Sequence, residues 1–141
     1  MTRCGLMPEA QRVLVAGEAS GRVLALDEPL SFWGGFESET GTIIDHAHPQ
    51  VGESLAGRVV TMAVGRGSSS ASTVLAEAIR RGTGPAALIM REPDEIVNLG
   101  AIVADELYGI TMPILIVDEL TFTAIAAAER ATISPSGTLT F

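Results

Sequence analysis

Residues 58–82 read RVVTMAVGRGSSSASTVLAEAIRRG, a strand, a glycine-rich turn and a helix in succession. Residues 58–64 are dense in Val and Met without polar alternation, the pattern of a strand buried on both faces. Gly65 and Gly67 then permit a tight turn and close backbone approach. Val74, Leu75, Ala78 and Ile79 follow at helical spacing, with a serine available as N-cap. Arg80 and Arg81 suit the negative end of the helix dipole, and Gly82 suits the position just past the last turn. A buried strand feeding a helix in this way belongs to an α/β sheet.

Working outward toward the C-terminus, residues 86–90 read as the next buried strand. Ile96, Leu99, Val103 and Leu107 recur every three or four residues, a helix with an expected interruption near Gly100. Residues 113–117 read as a strand, residues 121–130 as a short Ala-rich helix, and residues 131–141 as two small strands across Pro135-Ser136-Gly137. Toward the N-terminus, residues 12–15 and 21–26 read as two strands of a hairpin around Gly17, Ser20 and Gly21. Residues 30–42 are Gly-rich and loop-like. Residues 42–44 form a short strand running into Asp45-His46-Ala47-His48-Pro49, a turn in which Pro49 biases His48 away from helix. The fold class is mixed α/β, with a barrel-like or layered sheet and flanking helices. Residues 1–10 lack periodicity and read as a flexible leader, leaving residues 11–141 as a single domain.

The length of 141 residues supports one domain, able to bury roughly 68–70% of its unfolded surface. At 47% hydrophobic and 18% charged, the composition is that of a folded protein. No apolar run approaches the ~20 residues of a membrane helix, and the first residues lack a signal-peptide core, so a cytoplasmic location is expected. Nine basic against 17 acidic residues give a net charge of −8, which argues against a nucleic-acid partner. Every basic residue is Arg, so Schiff-base and Walker-lysine chemistry are excluded. Anions must be met by Arg or by backbone N–H groups.

The 65–70 turn is the strongest chemical signal. The helix beginning there aims unsatisfied N–H groups and a positive dipole end at whatever occupies the turn, and Arg66 adds a guanidinium suited to carboxylate or phosphate. The bland alternative is a capped helix after a tight turn, with the serines as caps. Asp45, His46 and His48 invite a metal reading, against which no further ligands are apparent nearby and a backbone-satisfying loop suffices. Cys4 stands alone and is expected to be a bystander. Trp33, beside Gly34 and Gly35, suits a stacking role or a core or interface position. Glu92, Asp94, Glu95, Asp105 and Glu106 read as solvated faces and helix-start charges.

The ordered set Gly34-Gly35, Thr40-Gly41-Thr42-Ile43-Ile44-Asp45, His48-Pro49, Gly65-Arg66-Gly67-Ser68-Ser69, Leu75-Ala76-Glu77, Gly84-Pro85-Ala86-Ala87 and Gly100-Ala101-Ile102-Val103-Ala104 resembles the swivel domain, or small subunit, of the aconitase X family. The resemblance runs from about residue 13 to residue 117. It implies a swivelling β/β/α domain of the aconitase type and a two-part hydro-lyase. A large subunit would carry the iron–sulfur cluster or other metal centre, with none bound by this chain. By motif, Ser68 would be the general base, with Ser69 the alternative, and Arg66 would stabilise the alkoxide and a small anionic substrate. Gly65, Gly67, Gly34, Gly35 and His48 would line the substrate. The family includes dehydratases acting on cis-3-hydroxy-L-proline and on phosphomevalonate, and the all-Arg, Ala-rich composition favours the first. From a different class, the domain could instead be a non-catalytic anion-binding regulatory module.

Overall fold

A computed structural model describes residues 9–141, so Cys4 and most of the expected leader lie outside the described residues. Along the chain come β1 (Arg12–Val15), β2 (Ala19–Ala25), β3 (Phe36–Glu37), β4 (Thr42–Ile43), β5 (Val59–Thr61) and α1 (Ala71–Arg81). They are followed by β6 (Ala87–Met90), α2 (Glu95–Tyr108), β7 (Ile114–Ile116), α3 (Glu119–Ala126), β8 (Arg130–Ile133) and β9 (Leu139–Thr140). Seven strands form one sheet in the order β1-β7-β6-β5-β2-β8-β9, and β3 with β4 makes a separate ribbon. Strands β2, β5, β6 and β7 are mutually parallel, with β1, β8 and β9 antiparallel at the flanks.

The two flanks of this sheet meet. Glu9, just before β1, forms an antiparallel bridge with Thr138, just before β9. The Ala10 N–H donates to the Gly137 carbonyl at 3.1 Å. The expectation of a barrel-like sheet with flanking helices agrees with this seam.

Alternation along the central strands sorts their side chains into two cores, because successive residues point to opposite faces. Val60, Met62, Leu88, Met90, Ile114 and Ile116 join Leu75, Ala78 and Ile79 of α1 and Val97, Ala101 and Ala104 of α2. Val59, Ala87, Ile89, Leu115 and Val117 join Ile125 of α3 with Ala131, Ile133 and Leu139 of the last hairpin. Strands covered on both faces explain why residues 59–64 and 86–90 are apolar apart from the buried Thr61. Each fully buried Leu, Ile or Met contributes roughly 1.5–3 kcal/mol from its area.

Four local expectations are corrected. The strands β1 and β2 are not a hairpin: β1 pairs with β7, and β2 lies between β5 and β8. A β-carbon on Gly17 would sit 2.7 Å from Thr111 Cγ2, so that glycine marks a close approach of chain segments. Helix α2 runs through Gly100 without a break. There α1 crosses so closely that a β-carbon would lie 2.9 Å from the Ser72 carbonyl oxygen and 3.1 Å from Leu75 Cβ. The Gly-rich 30–42 segment contains β3, and α3 starts at Glu119, two residues earlier than expected, and stops at Ala126, leaving Arg130 to β8.

Candidate functional site

The 65–70 turn leaves the C-terminal end of β5 and enters α1, and two of its residues have no room for a side chain. A β-carbon on Gly65 would strike the carboxylate of Asp94, and Gly67 adopts φ 113° with Ser31 Oγ 2.5 Å from where a β-carbon would stand. Ser31 also forms a parallel bridge with Arg66. The Ser31 hydroxyl donates to the Trp33 carbonyl at 2.8 Å, and its own carbonyl accepts from Gly35 N at 3.2 Å. The Gly35 carbonyl in turn accepts from Ile44 N at 2.9 Å and Asp45 N at 3.3 Å. Three loops, 31–35, 44–47 and 65–70, thus meet beside the first turn of α2.

Helix α1 begins differently from its two neighbours. In α2 the Asp94 carboxylate accepts from Ile96 N and Val97 N, and in α3 the Asp118 carboxylate accepts from Thr121 N. The Thr121 backbone N–H holds the Asp118 carboxyl below the usual range. Ser70, at the N-cap position of α1, already has helical backbone angles and makes no side-chain cap bond, and no acidic residue occupies the first turn. The Ser72 hydroxyl turns back to the Ser69 carbonyl at 2.9 Å instead. Among the described residues, the N–H groups of Ser68, Ser69 and Ser70 have no hydrogen-bond partner. Arg66, Ser68 and Ser69 are exposed, and Arg66 enters no ion pair among the described residues. The plain-cap alternative therefore lacks its hydrogen bond, while three free amides and an unpaired guanidinium belong to one exposed turn. Such an arrangement can hold an anion and lower the free energy of an alkoxide.

The other sequence candidates separate. Gly34, at φ 87°, has open space around it, and Trp33 beside it is 57% exposed. Both stand on the loop that touches the turn. His48 is only 3% exposed: its Nε2 meets the Glu28 carbonyl at 2.9 Å, and its Nδ1 accepts from Gln50 N at 3.0 Å. With both ring nitrogens engaged by backbone, His48 holds the 45–50 loop in place. Asp45 caps Ala47 N at 2.9 Å, and His46 is exposed. Among the described residues no three His, Cys, Asp or Glu side chains gather as a metal-holding group. These residues do not fit an iron–sulfur cluster or metal centre. Sequence reasoning missed Ser31 altogether and saw Asp94 only as a helix-start charge. The signal for both was the pair of glycines, which announces close neighbours without naming them.

Residues 9–141 match the family model of the aconitase X swivel domain. The chain belongs to the aconitase X swivel domain family. Its fold is shared with the crystal structure of Thermococcus kodakaraensis aconitase X in its holo-form, at a TM-score of 0.80 and 28% identity over 96% of this chain and 97% of that one. Over 108 residues it is 49% identical to the cis-3-hydroxy-L-proline dehydratase of Pseudomonas aeruginosa, covering 77% of this chain and 19% of that protein. It is 37% identical over 94 residues to the phosphomevalonate dehydratase small subunit of Thermococcus kodakarensis, covering 67% of this chain and 71% of that subunit. The match thus spans about a fifth of the hydroxyproline dehydratases, 19% and 20% of their lengths. The Pseudomonas aeruginosa and Thermococcus kodakarensis relatives, and the phosphomevalonate dehydratase small subunit of Methanothermobacter thermautotrophicus at 41% identity over 93 residues, are named as dehydratases. No helix among the described residues is long and apolar enough to cross a membrane.

Proposed function

We propose that this swivel domain is the small part of a two-part aconitase X-type dehydratase. Ser68 is its general base, Arg66 and the α1 amides are its anion site, and cis-3-hydroxy-L-proline is its substrate. The observation that carries the reading is the uncapped start of α1, where the Ser68–Ser70 amides stand free beside the unpaired Arg66. A serine hydroxyl is a poor base, and it serves only where its alkoxide is stabilised. The helix start supplies about half a positive charge and Arg66 a full one. In the reaction, Ser68 takes the proton from the carbon next to the carboxylate. The released electron pair forms the carbon–carbon double bond, and the hydroxyl on the adjacent carbon leaves as water, with its proton supplied from the large part. Gly65 and Gly67 let substrate and backbone approach, Gly34, Gly35 and Trp33 form the rim, and His48 acts indirectly by fixing its loop. Ser69 is the alternative base.

The 49% identity to a hydroxyproline dehydratase favours that substrate. Phosphomevalonate is the second reading, favoured by relatives named as its dehydratase small subunit. The complex with the large chain should consume cis-3-hydroxy-L-proline and leave phosphomevalonate unchanged; the opposite outcome reverses the assignment. Ser68→Ala should abolish turnover while leaving the melting temperature unchanged, because no cap bond is lost. An active Ser68→Ala beside an inactive Ser69→Ala moves the base one residue along, and activity in both removes the serine mechanism. A complex that binds substrate but turns over neither compound supports the regulatory module.

A further inference from the structure

Helices α1 and α2 lie side by side, yet their outward faces differ in kind. The outer face of α1 carries Ser72, Thr73, Glu77, Arg80 and Arg81, and Glu77 binds both arginines at 2.6 and 3.0 Å. That is an ordinary solvated surface. Helix α2 reads EIVNLGAIVADELY, and after Val97, Gly100, Ala101 and Ala104 are buried, large apolar residues still remain outside. Leu99 is 48% exposed, Ile102 45% and Leu107 67%, with Val103 half-buried between them. Positions 99, 102, 103 and 107 recur at helical spacing and form one continuous stripe. A groove of about 210 Å³ runs beside it between the helices, with Val103, Leu107 and Tyr108 of α2 on one wall and Ser72, Thr73, Ala76 and Glu77 of α1 on the other. A helix that is apolar on opposite faces is a buried helix. Here only one of those faces is covered by this chain.

We propose that this stripe of α2 is the docking surface through which the swivel domain is held to the large aconitase X-type chain. The proposal rests on the two-part reading above and adds where the parts join. Two observations select the large chain over a second copy of this one. In the relatives that carry this domain within a longer polypeptide, about four-fifths of the protein lies outside the matched segment, 81% in the Pseudomonas aeruginosa enzyme. The stripe is also flanked by exposed Glu95, Asp105 and Glu106, and the chain carries a net charge of −8. Two copies apposed there would bring like charges together, whereas a partner with an apolar strip rimmed by Arg or Lys is complementary. The surface starts near the turn, where Asp94 touches Gly65, and Leu107 lies about 20 Å farther along the helix axis. A hold at that distance leaves the 65–70 turn free to approach and leave its substrate.

The test uses the full chain and the aconitase X-type large chain of the same organism, with affinity read by titration calorimetry. The double variant Leu99→Glu/Ile102→Glu alters only exposed positions, and circular dichroism should show native helix content. Its affinity for the large chain is expected to fall at least 100-fold, while Ser68→Ala binds as the unaltered chain does and the conservative Leu99→Met/Ile102→Val retains binding. Unchanged affinity in the charged double variant overturns the docking surface and leaves the two-part reading standing. Failure of the unaltered chain to bind the large chain overturns both. A dimer of this chain alone that dissociates in the double variant assigns the stripe to a second copy and overturns the proposal.

Discussion

At the scale of single residues, the turn is constrained from beneath by groups distant in sequence. Gly67→Ala would force a β-carbon onto a backbone at φ 113° and against Ser31 Oγ. The expected cost is about 1–3 kcal/mol, measurable by urea unfolding. Because the displaced atoms lie next to Ser68, the turnover of folded protein should fall as well. An anion-binding turn is legible, since Gly65 to Ser70 are consecutive and their local chemistry is read directly, whereas a base at Ser68 comes only with the resemblance to the aconitase X family. The loss of the cap was not legible. A serine before a helix resembles an N-cap, and only the helical backbone angles of Ser70 show that its hydroxyl cannot serve. Glu77 offers a separate measurement. Hydrogen bonds from Arg80 and then Arg81 pull its carboxyl from 4.5 to about 2. A depressed carboxyl stabilises the folded state above the unfolded value and ceases to do so as pH falls through the folded one. The small contribution of this exposed trio should therefore be complete well above pH 4.5 and lost toward pH 2, and Glu77→Gln should flatten acid unfolding in that window.

At the scale of elements, Gly100 sets two effects against each other. Alanine in a helix interior gains about 1 kcal/mol over glycine. Here the new methyl would meet the Ser72 carbonyl oxygen at 2.9 Å and Leu75 at 3.1 Å, both on the neighbouring helix. Overpacking of this sort costs roughly 1–3 kcal/mol, so Gly100→Ala is expected to lower the melting temperature despite its better helix propensity. An increase would mean that α1 yields freely. Asp94→Ala removes the cap of α2 and should cost about 0.5–2 kcal/mol by chemical denaturation. The same contrast explains which elements the sequence revealed. Helices and doubly buried strands were visible because 3.6-residue spacing and apolar runs are local. Pairing partners were not, because β1 joins β7 across most of the chain and no local signal encodes that register. Gly17 and Gly100 look like a turn and a break in the sequence, yet both are places where another segment leaves no room for Cβ.

At the scale of the whole molecule, the seam between the flanks of the sheet rests on few groups. Gly137 has φ 90°, and a β-carbon there would stand 2.7 Å from Val13 Cγ2. Gly137→Ala should loosen the seam first. In hydrogen exchange, the Ala10 and Gln11 amides should lose protection while those of Leu88 and Met62 in the interior keep it. Equal loss throughout would show that the curled sheet opens only by global unfolding. The seam also bears on how such a domain is inherited. Its first described strand and its last enter and leave at one spot, Glu9 beside Thr138. A unit built this way is a cassette: it can be spliced into a host polypeptide, or cut free of one, without pulling the host's two ends apart. Genes on either side of such an event would encode nearly the same solid body. That suits a family in which the matched segment is 19% of one relative and 71% of another.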